Sequence, residues 1–208
     1  MQRKILALAV TAILSAGVQA GEIQFTTTPV PTNDLDKRSV LSSQFAKVDD
    51  QTVAIQYNTI MRSGDKPGNS KNPFGQIINL KGQPVKFADG SKFISNSNDY
   101  SSIIKGKKGS LFMVSHFESR PAAMYLTQLD QNRDTGELKA VKTRPLDFSH
   151  VNGGWVHCAG SVSPWGTHMG SEEYPPNAKE WRDESISSYN AEMVRYFPEA
   201  QKAETSEL

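Results

Sequence analysis

A mainly β fold is predicted by three features of the sequence. Short apolar stretches alternate with polar residues at a period of two, clusters of Gly, Pro, Asn and Asp separate them, and helical spacing is clear only near the C-terminus. Several short strands joined by tight turns build a sandwich, a barrel or a propeller. The strands do not alternate with helices, which disfavours a parallel α/β sheet.

Taken in order, the first segment is an address. Arg3 and Lys4 precede an apolar run from Ile5 to Leu14, and Val18-Gln19-Ala20 forms a small-residue cleavage site. These are the three parts of a secretory signal, so residues 1–20 are expected to be removed and the mature chain to start at Gly21 in a periplasmic or extracellular setting. The run falls short of the roughly 20 apolar residues that a membrane span needs. Residues 21–50 are polar and read as an irregular lead-in. Residues 51–208 carry the strand pattern. Val53, Ile55 and Tyr57 alternate with polar or small neighbours, and Ser63 to Pro73 is loop by composition. Short strands are expected over Gly75–Leu80 and Val85–Phe87, with Asp89-Gly90 turning the chain toward Phe93. Leu111–Phe117 (LFMVSHF) suits an inner strand, Met124–Leu129 the next, and Asp134-Thr135-Gly136 turns into Leu138–Val141. Trp155–Val162 and Thr167–Ser171 pair as a hairpin around Ser163-Pro164-Trp165-Gly166. Ile186, Tyr189, Met193, Tyr196 and Phe197 recur at helical spacing, and Pro198 ends that helix.

Composition removes several function classes. A net charge of +1 with scattered basic residues gives no field for nucleic acid. Lys105, Lys107 and Lys108 are separated by glycine and read as a solvated turn. No G-x-S-x-G, P-loop, C-x-x-C or H-E-x-x-H pattern is present. Asp130, Asn132 and Asp134 alternate like the start of a calcium loop, but Val141 stands where a bidentate glutamate is needed, so a turn is the plainer reading.

The densest chemistry lies in Asn152–Tyr174, NGGWVHCAGSVSPWGTHMGSEEY. A hairpin there brings Cys158 near the Glu172-Glu173 pair, and its glycines permit close backbone approach. Thiolate and carboxylates together hold metal ions, sulfur favouring zinc or iron and oxygen favouring calcium or magnesium. On spacing and composition alone, a buried structural thiol is the favoured reading of Cys158.

Cys158-Ala159-Gly160-Ser161-Val162-Ser163-Pro164-Trp165-Gly166-Thr167, followed by Ser171-Glu172-Glu173, resembles the PhoX-type alkaline phosphatase family. Weaker echoes stand upstream at Ser63–Pro67, Asn98-Asp99-Tyr100 and Ser115-His116-Phe117-Glu118. The resemblance implies a secreted β-propeller phosphatase that uses iron and calcium to hydrolyse small phosphate esters, with Cys158 and Glu173 as metal ligands and Glu172 as a further candidate. No protein nucleophile is then required. It also implies that this chain is the N-terminal part of an incomplete propeller, with one helix near its C-terminus and more ligands downstream. His157 stands where the motif has asparagine, and Ser161 where it has glycine. Those changes fit the alternative expectation, an exported propeller-type binding protein without catalysis.

Overall fold

The structure, a computed structural model, describes residues 22–39 and 41–174. The signal segment and the helix expected around Ile186–Phe197 lie outside the described residues. The fold is mainly β, with three antiparallel sheets. Among the described residues none of them closes into a barrel or a propeller ring.

The chain divides into two compact units at Tyr57/Asn58. The first corrects the irregular lead-in expected over 21–50. Strands β1 (Ile23–Phe25), β2 (Phe45–Val48) and β3 (Gln51–Ala54) form a sheet in that order, with a short helix α1 (Asp34–Lys37) between β1 and β2. The sequence hides this sheet because only Ala46 is buried among its eleven strand residues, so backbone pairing holds it with little apolar alternation. Asp49, at φ 53, makes the tight β2–β3 turn. Asn33 caps α1 by accepting from the Asp36 amide at 2.9 Å.

The second unit holds the core. Strands β4 (Asn98–Lys105), β5 (Leu111–Phe117), β6 (Ala123–Gln131) and β7 (Leu138–Pro145) form a meander in sequence order. β5 is an inner strand, as its continuous apolar run requires, and residues 113–117 are all buried. In the β6–β7 turn Asn132 Oδ1 accepts from the amides of Asp134 and Thr135 at 2.9 and 3.1 Å. A two-stranded sheet follows, β8 (His157–Val162) and β9 (His168–Glu172), turned at Ser163–Gly166, and β8 packs on β4 and β5. The strands expected over Gly75–Leu80 and Val85–Phe87 are reduced to single bridges, Gln76 to Ile94, Ile78 to Pro84 and Lys86 to Lys92. The turn at Asp89-Gly90 is present, with Phe87 N–H donating to Ser91 O at 2.9 Å. β4 has no counterpart in the apolar pattern, because the residue it buries is Ser102.

Phe74, Phe117 and Tyr125 meet edge to face with centroids 4.8–5.6 Å apart. Gly75 lets Phe117 in, since a Cβ there would lie 2.8 Å from Phe117 Cε1. The Tyr125 hydroxyl donates to the Gln76 carbonyl at 2.6 Å inside this core, and burial pushes its phenol pKa up. Tyr125→Phe strands that carbonyl and is expected to cost about 1–3 kcal/mol, measured as a lowered denaturant midpoint at unchanged slope.

Candidate functional site: a thiol among carboxylates beside a histidine cluster

Two strand bulges aim side chains toward the same place. The β4–β5 register shifts between Asn98 and Ser101, and the β8–β9 register shifts between His157 and Gly160. Bulges break the two-residue alternation and redirect the side chains they contain. The first holds Asp99 and the second Cys158. Backbone hydrogen bonds then lace the neighbouring segments together. Glu118 N–H donates to Ser97 O at 2.8 Å, Val156 N–H to Ser119 O at 3.2 Å, and Glu173 N–H to Val156 O at 3.1 Å. Val156 is buried at φ 43, a conformation costly for a β-branched residue, and this strained link immediately precedes His157-Cys158.

Cys158 interacts with Asp99 and Glu173, and Glu118 with Glu173 and Asp99. A hydrogen bond to Asp99 first, then burial and the charges of Glu173 and Asp99, push the Cys158 thiol up to about 11. A hydrogen bond with Glu173, then burial and the charges of Glu173 and Asp99, hold the Glu118 carboxyl above its ordinary range, with Arg120 opposing. Crowded acids keep their protons when ionisation would place like charges side by side. Glu172 takes another direction. It stands opposite His157 in the ladder, and its Oε1 accepts from Trp155 N–H at 2.6 Å.

Across β8, His157 and its neighbours form a second cluster. His116 Nδ1 lies 2.8 Å from the Cys158 carbonyl, His116 Nε2 lies 2.6 Å from His168 Nε2, and His168 Nδ1 lies 2.7 Å from Ser102 Oγ. His157 is buried, and neither of its ring nitrogens has a hydrogen-bond partner. Burial first, then the charges of His116 and His168, bring its pKa down to about 4, so the ring is neutral at physiological pH. Burial and His116 lower His168 in the same direction. His157 and His168 share the wall of a cavity of about 460 Å³ with Met124, Phe148 and Glu172.

Glycine makes the close docking of the hairpin possible. Gly160 and Gly170 face each other in the β8–β9 ladder. A Cβ on Gly160 would lie 2.3 Å from Tyr100 Cδ1, and one on Gly170 would lie 2.8 Å from His116 Cε1.

Of the residues singled out in the sequence, Cys158 and Glu173 therefore meet and Glu172 faces the other side. Asp99 and Glu118 complete the acidic group. Their signal was the Asn98-Asp99-Tyr100 and Ser115–Glu118 stretches, whose spacing carried no hint of convergence. Among the described residues, no group of three or more His, Cys, Asp or Glu side chains is arranged to hold a metal ion. The donor chemistry nevertheless suits one: three carboxylates and a thiol gather, and a cation placed among them would offset the like-charge interactions that raise Glu118 and Cys158, as Arg120 already does in part for Glu118. Fold and site together define a mainly β protein with an acidic, thiol-bearing side-chain cluster at two strand bulges. Comparison with protein-family models, curated proteins and solved structures finds no match to this chain. Among the described residues no helix is long and apolar enough to cross a membrane.

Proposed function

We propose that this chain is the N-terminal part of an exported, PhoX-like β-propeller protein that hydrolyses small phosphate esters with iron and calcium. The observation that carries the reading is the meeting of Asp99 on β4, Glu118 just after β5, Cys158 on β8 and Glu173 just after β9. Each comes from a stretch in which the sequence resembles that family. On this reading β4–β7 is an early blade, and β8–β9 begins the next.

Cys158, Asp99, Glu118 and Glu173 would hold the metals. When bound, trivalent iron and calcium supply positive charge toward phosphoryl oxygens and acidify water near neutral pH. The chain's own residues prepare that chemistry. Cys158 gives up its proton on loading, since a thiol ligates as thiolate. Glu118, held above its ordinary range by Glu173 in the metal-free chain, would bind as an anionic donor. The backbone bonds of Glu118 and Glu173 fix where those carboxylates start from.

The test is iron and calcium content of the purified protein together with p-nitrophenyl phosphate turnover. Bound iron and calcium with turnover support the phosphatase. The second reading, a non-catalytic exported binding protein, is favoured by His157, a buried neutral ring where the resembled motif has an amide. A chain that is folded, free of metal and inert toward the ester supports that reading.

A further inference from the structure

We propose that His116, His168 and Ser102 form a positioning relay that locks the main chain of Cys158 and thereby aims its thiol at the Asp99–Glu118–Glu173 cluster. The inference deepens the metal-site reading and rests on it for its consequence in metal binding, though the lock itself is a property of the metal-free chain.

Cys158 and Ala159 lie where the β8–β9 ladder is interrupted. Both of their carbonyls are met by side chains: His116 Nδ1 lies 2.8 Å from Cys158 O, and Ser171 Oγ donates to Ala159 O at 3.2 Å. A carbonyl only accepts, so His116 Nδ1 carries the proton. His116 Nε2 and His168 Nε2 lie 2.6 Å apart, so one of them donates to the other. His168 Nδ1 and the Ser102 hydroxyl close the chain at 2.7 Å. The contacts thus run unbroken from Ser102 through His168 and His116 to the Cys158 carbonyl. Each link constrains the tautomer of the next.

The four members come from four strands: Ser102 on β4, His116 on β5, His168 on β9 and Cys158 on β8. His116 is completely buried and Ser102 nearly so, which removes competing water from those links. The Tyr100 ring stands 5.6 Å from His116, and Gly170 offers no Cβ to push it aside. The relay therefore ties the small sheet to the large one at the residue that carries the sulfur. Without it, the interrupted ladder leaves the 158 peptide free to rotate, and the thiol with it.

Cys158 is the sole cysteine, so its alkylation by iodoacetamide in the metal-free full chain reads the lock directly. Ser102→Ala removes the end of the relay, and His168→Phe removes its middle while keeping a ring. Thr143→Val serves as the control, because it breaks the buried Thr127–Thr143 hydrogen bond (2.9 Å) away from the relay. Alkylation is expected to rise about tenfold in His168→Phe, the factor set by losing one hydrogen bond of ordinary strength, and less in Ser102→Ala. It should not rise in Thr143→Val at matched loss of melting temperature. Cobalt titration supplies the second readout, with the thiolate-to-cobalt absorption band expected to weaken in the order wild type, Ser102→Ala, His168→Phe. Should wild type show no such band while the variants alkylate faster, the metal-site reading falls and the relay stands. Wild-type alkylation rates in folded Ser102→Ala and His168→Phe overturn the relay, as does an equal rise in Thr143→Val.

Discussion

Cys158→Ser is expected to strip metal from the protein and lower phosphoester turnover about a thousandfold or more, with the fold intact. Charge stabilisation by a bound metal contributes several kcal/mol to a phosphoryl transition state, and each factor of ten is about 1.4 kcal/mol. Serine nearly matches cysteine in size, so the half-buried site should lose no more than about 1 kcal/mol of stability, the ordinary scale of a point substitution. Its hydroxyl does not ionise to a soft anion, and the carboxylates of Asp99 and Glu173 would then meet a neutral donor. Glu173→Gln should act in the same direction, because it removes a carboxylate donor and the charge that acts on Glu118 and Cys158. Elemental analysis, ester turnover and circular dichroism on the three proteins make the comparison. Full metal content and turnover in folded Cys158→Ser would sink the phosphatase reading.

Gly160→Ala is expected to produce the largest loss of stability, about 3 kcal/mol, at the upper end of the cost of overpacking. The added methyl would stand 2.3 Å from Tyr100 Cδ1 and 2.9 Å from the Met169 carbonyl oxygen, and the second of these is backbone that cannot swing away. Gly160 has no positive φ to defend, so the penalty is steric alone. For a unit of this size the melting temperature should fall roughly 6–12 °C. Gly166→Ala is the comparison: its methyl would meet nothing within 4 Å, but φ is 81, so the cost is the about 1–2 kcal/mol of a left-handed residue. A calorimetric melt of both variants decides the matter. Equal losses would mean that the hairpin is not seated against Tyr100 as described.

The sequence made the large sheet legible where burial and alternation coincide. LFMVSHF announces β5 because an inner strand is apolar on both faces, and Asp134-Thr135-Gly136 announces the β6–β7 turn because Asn132 and Gly136 suit few other conformations. β4 escaped because its buried contact is a hydroxyl, Ser102, whose partner His168 lies 66 residues away. The first sheet escaped because exposed strands need no apolar period. At the site, Cys158 and Glu173 were readable from the hairpin and the resembled motif. Asp99 and Glu118 were not, since convergence across bulges has no periodic trace. The resembled motif ranked Glu173 above Glu172 without saying why, and strand alternation separates the two.

β8 works as a partition one residue thick. On one side stand sulfur and carboxylates, and on the other stands a neutral imidazole on the wall of a cavity shared with Met124, Phe148, His168 and Glu172. The two chemistries are written on consecutive residues, His157 and Cys158. A slip of β8 by a single position would exchange them, turning the thiol into the cavity and the imidazole in among the acids. Insertions or deletions between Val156 and Gly160 therefore act as transpositions of chemistry, even where every side chain survives, whereas the same changes at the Trp165 tip leave the partition in phase.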